Sequence, residues 1–330
     1  MITRRVLAAL PALAFAPGAL ATAARAQTGF DAFLAEVRVE AVAGGVAAAT
    51  IDRAFAGLRP NPRVLELDSR PPERTQSWDR YRSTRLTDQR VAAGQQALQA
   101  NAAALQEIAR RSGVDPGIVV AIWGLETNYG GYTGGFSVIE ALATLAADGR
   151  RDGFFRRELI SALRILDHGD ITLARMTGSY AGAMGQPQFM PSSYLNYAVS
   201  FDGGARRDIW DNRNDALASI GNYLARSGWQ PGQPWFQPVR VPAGLVVPRD
   251  SREDRRPLAA WTRIGVTRAD GSEFSRPDQQ GAVVMPDGAG GEAYMTYPNF
   301  AVIRLYNRSD LYALSVGLLA NRVAAERREL

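Results

Sequence analysis

The run Ile122-Trp123-Gly124-Leu125-Glu126-Thr127-Asn128-Tyr129-Gly130 ends an apolar helical stretch with a single carboxylate, then passes into glycines and aromatics. Asp115 is a good N-cap for that helix, and Pro116 suits its first position. Ile118, Ile122 and Leu125 form an apolar stripe, with Glu126 beside it at the far end. A carboxylate there is poorly solvated, and the carbonyl end of a helix carries partial negative charge. Both effects favour the protonated acid. Gly130-Gly131 ends the helix and leaves room for a ligand near the backbone. A protonated carboxyl beside aromatic platforms is what acid-assisted cleavage of a glycosidic bond requires.

The surrounding pattern is mainly helical. Residues 28–58 read as helix, with Phe30, Phe33, Leu34 and Val37 on one face. A proline-bearing loop follows, with Arg59-Pro60-Asn61-Pro62 and Arg70-Pro71-Pro72. A long Ala/Gln/Leu helix is expected over 87–112, stopped by Gly113. Further helices are expected over 137–147, 152–168 and 215–226. Between them, Gly178 to Tyr194 alternates small residues, amides and aromatics with neither helical nor strand period. Such a segment suits the lining of a polymer-binding cleft. From Trp235 to about Tyr297, Pro, Gly and Val accumulate in short alternations, which predicts a small β-rich insertion. Residues 300–306 read as strand or extended chain, and 311–327 as a final helix.

The chain has 330 residues, 46% of them hydrophobic, enough for a substantial core and two or three lobes. It has no cysteine, which removes disulfides, thiol catalysis, Cys-ligated metals and a lipid-modified N-terminal cysteine. Residues 1–26 read as an export signal. Arg4 and Arg5 precede an apolar run over 6–20, and Ala24-Arg25-Ala26 fits a small-x-small cleavage site. Thr3-Arg4-Arg5-Val6-Leu7 also resembles a twin-arginine signal. The run is too short and proline-rich for a stable membrane span. A periplasmic protein is therefore expected. The formal charge of +5 includes Arg4, Arg5 and Arg25, so the remainder stands at about +2. That balance, with no basic cluster interleaved with aromatics, argues against nucleic acid.

Four segments in order sharpen the reading. They are Trp123 to Gly130, Ala141-Leu142-Ala143-Thr144-Leu145, Gly178 to Tyr194, and Ile220-Gly221-Asn222-Tyr223-Leu224. Tyr297-Pro298-Asn299-Phe300 and Tyr306-Asn307-Arg308-Ser309 follow. The set resembles the B-type lytic murein transglycosylases, peptidoglycan-cleaving enzymes with a lysozyme-like core, over roughly residues 28–328. The resemblance implies a mainly α (α+β) fold. Its parts would be an N-terminal helical lobe over 27–104, completed by a C-terminal helix over 305–330, a lysozyme-like core over 105–230, and a small β-rich insertion over 231–304.

It also implies a chemistry. Glu126 would protonate the oxygen between N-acetylmuramic acid and N-acetylglucosamine. It would then take the proton from the muramoyl C6 hydroxyl as that oxygen attacks C1, giving a 1,6-anhydromuramoyl end. The residues fit a single acid. The earlier acid on the same helix, Asp115, is eleven residues back, about 16 Å along the axis and too far for a retaining pair. Asp148 or Asp152 could still fold in, so hydrolysis of the same bond by a muramidase stays open, as does a non-catalytic glycan-binding protein.

The resemblance assigns other roles by position. Ser179 would hydrogen-bond near the acid, and Gln188 would contact a substrate amide or sugar. Tyr180, Tyr223 and Phe154 would line the glycan groove, with Tyr81 from the N-terminal part. Arg150 and Arg151 would meet the peptide or lactyl side of the substrate. Asn299 and Tyr306 would return to the cleft. Aromatic faces suit the C–H face of a pyranose, and arginines suit carboxylates. The partners implied are peptidoglycan glycan strands and, as candidates, the cell-wall synthesis or division machinery. No cofactor is required. Some family members carry a calcium loop where this chain has Ser200 to Asp215. Its first, third and fifth places are Ser, Asp and Gly, and Arg206 and Arg207 add positive charge. A calcium-free or weakly binding remnant is expected, with Asp202, Asp208 and Asp215 as ligands or structural caps.

Overall fold

The computed structural model describes residues 17–69, 76–151, 153–248 and 254–324. Residues 1–16 of the expected export signal lie outside the described residues, and residues 17–26 form the first turns of a helix.

The N-terminal third contains α1 (Pro17–Ala43), α2 (Ala48–Phe55), α3 (Pro62–Ser69), α4 (Trp78–Arg85), α5 (Asp88–Ala100) and α6 (Ala102–Ser112). The central part contains α7 (Pro116–Thr127), β1 (Phe136–Ser137), α8 (Val138–Asp148), α9 (Phe154–Asp167), β2 (Thr177–Gly178), α10 (Pro191–Tyr197) and α11 (Arg213–Arg226). A β-unit follows with β3 (Phe236–Arg240), β4 (Arg256–Pro257), α12 (Leu258–Arg263), β5 (Thr267–Arg268), β6 (Gln280–Val284) and β7 (Ala293–Thr296). The chain closes with α13 (Pro298–Tyr306) and α14 (Asp310–Ala324). The fold is mainly helical with a small sheet, as the sequence predicts.

α7 is the axis of the molecule. All but Glu126 and the N-terminal proline among its residues are buried, because neighbours cover it on nearly every side. α14, α5, α6 and α11 pack around it. Leu105, Ile108, Ile118, Ile122, Leu217, Leu314 and Val316 from these helices share one core. A second core joins α1–α3 to α8 and α9 through Phe30, Val37, Ile51, Val64, Leu142, Phe155 and Leu163. The β-unit is a five-stranded antiparallel sheet in the order β4-β6-β7-β3-β5. Trp261, Val283 and Met295 fill its own small core, while Phe236, Val284 and Tyr294 point into the α7 core. Strand alternation thus buries side chains of this small sheet on both faces.

Several boundaries differ from the sequence reading. The expected lobe over 27–104 is two unrelated pieces. α1–α3 belong to the α8/α9 core, whereas α4 and α5 belong to the α7 core. α4 is also tied to the β-unit: the Trp78 amide donates to Asp287, and its indole donates to Glu292. The C-terminal helix packs on α7, α5 and α4, and residue 305 falls inside α13. The helix expected over 87–112 is broken at Asn101, whose side-chain amide donates to Ala97 O at 2.7 Å and whose oxygen accepts from Arg213. Residues 300–306 are helical and not extended. Pro298 supplies a preset first turn, and Phe300 and Ile303 make a helical stripe on the α7 core. The helix expected over 28–58 is interrupted after Ala43 by a turn through Gly44 and Gly45.

Gly317 in α14 marks where the β-unit meets the helical core. A Cβ there would stand 2.4 Å from the Phe236 ring and 2.6 Å from Trp235. Gly317→Val should therefore destabilise the fold by about 1–3 kcal/mol through overpacking. Urea unfolding checks this, the midpoint falling while the slope is kept.

Candidate active site

Glu126 is the second-last residue of α7, and two devices fix that end. The helix is followed by two consecutive left-handed residues, Asn128 at φ 50 and Tyr129 at φ 61. They fold the Tyr129 ring back over the helix, edge-on to Trp123 with centroids 5.7 Å apart. Position 124 must be glycine for this, since a Cβ would lie 2.5 Å from the Tyr129 ring. The Tyr129 hydroxyl then donates to Arg90 O of α5 at 2.7 Å.

The second device is Gln186. Its Oε1 accepts from the Trp123 indole at 3.0 Å, and its Nε2 donates to Trp210 O at 3.0 Å. Its carbonyl accepts from the Thr127 hydroxyl at 2.9 Å. Gln186 is buried, so one side chain joins α7, the 178–190 loop and the segment before α11. The loop itself is drawn tight by bridges from Met184 to Gly178 and to Phe189.

Around the acid the structure brings together tyrosines from four helices. The Tyr312 hydroxyl of α14 donates to Glu126 Oε1 at 2.6 Å. Burial raises the Tyr312 hydroxyl well above its usual pKa, and the adjacent Glu126 charge adds to this, with a further contribution from Tyr81. The Tyr306 hydroxyl at the end of α13 is raised by the same two causes, burial first and Glu126 second. Tyr306 donates to Pro187 O at 2.6 Å, and its ring lies 4.8 Å from Tyr223 and 5.7 Å from Phe189. Tyr223 of α11 donates to Leu305 O at 2.6 Å and contacts Tyr197 at 4.5 Å. The result is a carboxyl held by a phenol that keeps its proton, next to a cluster of aromatic rings.

The other sequence-assigned residues fall in different places. Ser179 closes the turn 179–183, its hydroxyl accepting from Ala183 N at 3.1 Å. Tyr180 is half-buried against the α8/α9 core. Gln188 stands at φ 52 and donates both amide protons to backbone carbonyls, Thr133 O at 3.0 Å and Gly185 O at 2.9 Å. Its amide nitrogen therefore shapes the loop, and only its oxygen is left to meet a sugar or amide. Tyr81 is 2% exposed and stands in the α7 core on the Tyr312 side, near enough to raise the Tyr312 hydroxyl. Asn299 is fully buried, and its amide accepts from Gln230 N and donates to Gln230 O and Gln233 O, each at 2.8 Å. It pins the 230–233 loop instead of facing the cleft. Arg150 and Arg151 both pair with Asp68 at the α8–α9 turn, at 3.3 and 3.2 Å, and Arg150 also pairs with Asp148. Phe154 is exposed at the start of α9, edge-on to Phe155.

The loop expected to be a calcium remnant is closed by its own backbone. Asp215 is buried and accepts from Phe201 N and Asp208 N, both at 2.8 Å. Asp208 accepts from Trp210 N and Asp211 N, and its other oxygen pairs with Arg206 at 3.1 Å. Asp202 is exposed. Asp208 and Asp215 act as caps, with an arginine where a cation would need free oxygen ligands, so the donor set does not fit calcium.

The residues that sequence reasoning missed are Tyr312, Gln186 and Tyr129. Tyr312 lies three residues after Ser309, whose hydroxyl accepts from its amide at the start of α14. A Ser-x-x-Tyr helix start is the only sequence cue to it.

Residues 29–321 match the family model described as the transglycosylase SLT domain. The chain belongs to the B-type lytic murein transglycosylases. It is 33% identical over 258 residues to membrane-bound lytic murein transglycosylase B of Escherichia coli strain K12, covering 76% of this chain and 68% of that one. The crystal structure of SltB3 from Pseudomonas aeruginosa in complex with NAG-NAM-pentapeptide is 45% identical, with a TM-score of 0.84 over 89% of this chain and 79% of that chain. The Escherichia coli lytic transglycosylase Slt35 in complex with calcium is 29% identical, with a TM-score of 0.78 over 91% and 94% of the two chains. This transglycosylase is thus an enzyme with a lysozyme-like helical core. No helix among its described residues is long and apolar enough to cross a membrane.

Two outcomes follow from this geometry. Tyr312→Phe keeps the ring but removes the hydrogen bond to Glu126, and should lower kcat about tenfold or more. Turnover of purified peptidoglycan with circular dichroism as a fold control checks it. Burial also pushes Tyr129, Tyr223 and Tyr297 up to about 12 from 10.0. A raised folded-state pKa stabilises below the unfolded value and is lost as pH rises through the folded one. Stability should therefore fall between pH 10 and about 12, which urea midpoints across that window would show.

Proposed function

We propose that this enzyme cleaves the β-1,4 bond between N-acetylmuramic acid and N-acetylglucosamine in peptidoglycan, with Glu126 as acid and then base. The observation that carries the proposal is the Tyr312 hydroxyl on Glu126 at 2.6 Å, beside the rings of Tyr306, Tyr223 and Phe189. Glu126 gives its proton to the glycosidic oxygen, and the C1–O bond to the leaving N-acetylglucosamine breaks. The muramoyl C6 oxygen bonds to C1, and its proton passes to the Glu126 carboxylate. The acid is thereby regenerated, no water is consumed, and the product is a 1,6-anhydromuramoyl end. Tyr312 stabilises the carboxylate between the two transfers, because a hydrogen bond to the charged form favours that form. The aromatic cluster keeps water from the oxocarbenium-like centre.

Supporting a single acid is the position of Asp115. It caps the opposite end of α7 through Gly117 N at 2.7 Å. The substrate is a glycan strand, as the SltB3 complex with NAG-NAM-pentapeptide suggests for a relative. The place of action is the periplasm, reached through the signal over residues 1–26.

Digestion of purified peptidoglycan with mass analysis tests the proposal. Anhydromuropeptides are expected, and reducing ends would instead establish a muramidase. Glu126→Gln should lower turnover by about a thousandfold or more, the scale of losing the proton donor and base together. Retained activity in that variant would refute the role of Glu126.

A further inference from the structure

A cleft of about 270 Å³ opens at the base of the β-unit, between β3, β5 and the N-terminus of α13. Arg268, Arg276, Gln237 and Tyr297 line its polar side, and Leu258 and Phe274 its apolar side. Both arginines are exposed, and among the described residues neither makes an ion pair or a side-chain hydrogen bond. Some arginines elsewhere in the chain are paired, as Arg82, Arg156 and Arg207 illustrate. Arg268 does influence the nearby Asp270 carboxyl, which is held low chiefly by its bonds from Ser272.

The tyrosine in the cleft is built as a donor. Its ring is 2% exposed, and its oxygen already accepts from Gln237 Nε2 at 2.5 Å. Its proton is therefore left for an acceptor in the cleft. Two guanidinium forks and one phenolic proton beside an apolar floor describe a site for a carboxylate attached to a small apolar group.

Tyr297 and Tyr306 flank the same helix. α13 has 9 residues, so its ends are about 13 Å apart at 1.5 Å per residue. Tyr306 sits where Glu126 raises its hydroxyl, at the reacting end of the site. An extended peptide covers about 3.3–3.6 Å per residue, so about four residues cover the length of α13, from Tyr306 beside the acid to Tyr297 in the cleft. That is the length scale of the pentapeptide on the ligand in the SltB3 complex.

We propose that the Arg268/Arg276 cleft binds the free C-terminal carboxylate of the peptide stem on the glycan being cleaved. The proposal rests on the substrate named under Proposed function. It makes the β-unit a reader of the stem and not merely a structural insertion.

The test uses Glu126→Gln protein, which traps substrate, and isothermal titration with two synthetic fragments. One is a disaccharide with a pentapeptide ending in a free carboxylate. The other is the same compound ending in a carboxamide. The acid should bind about tenfold tighter than the amide, the value of one strong charge-assisted contact. Adding Arg268→Gln and Arg276→Gln, with folding followed by circular dichroism, should bring the acid down to the amide. Equal binding of acid and amide to the arginine-containing protein overturns the proposal, whatever the fate of the double variant. So does a double variant that keeps the preference. Failure of the transglycosylase chemistry would appear separately, as reducing ends or no products in the digest.

Discussion

The end of α7 is the point on which the rest depends, and Gln186 is the residue that holds it. A buried amide bonded through both its oxygen and its nitrogen is costly to disturb, since each broken bond leaves a polar group without water. Gln186 satisfies the Trp123 indole and the Trp210 carbonyl at once, and so ties α7 to the segment before α11. Tyr129 adds a steric lock, its ring filling the space that Gly124 leaves empty. A catalytic acid must keep its geometry to within a fraction of an ångström, and packing of this kind provides it.

The acid is embedded among phenols more than among charges. Tyr312 and Tyr306 keep their protons because they are buried and because Glu126 lies next to them. The Tyr312 hydroxyl donates to Glu126 and the Tyr306 hydroxyl donates to Pro187 O, and neither phenol adds charge to the site. The arginine-rich surface is organised differently. Arg150, Arg151 and Asp68 form one cluster away from the tyrosines, and Arg206 and Asp208 form another in the loop before α11. Exposed pairs of this sort contribute little stability individually, and they act mainly to fix loop conformation.

Much of the site was readable from Glu126 outward. The cap at Asp115, the proline at 116 and the apolar stripe place the acid at a helix end, and the structure places it there. Tyr306 lies beside Glu126, and Tyr223 packs against the Tyr306 ring. Asn299 was misplaced because a motif records that a residue type recurs, not whether it faces a cleft or a core. Asn299 turned inward and satisfies the carbonyls of residues 230 and 233. The break at Asn101 was illegible for a similar reason. Its side chain competes with the helix backbone only because Arg213, distant in sequence, stabilises the alternative.

By itself the sequence determined the helical class, the limits of α7 and the place of Glu126 at its end, because caps, periodicity and local motifs act over a few residues. The tertiary structure alone decided which groups surround that acid. Tyr312 comes from 186 positions away, and its hydrogen bond exists only once α14 packs against α7. The division of the first hundred residues between two cores was likewise a matter of long-range burial, which local pattern cannot encode.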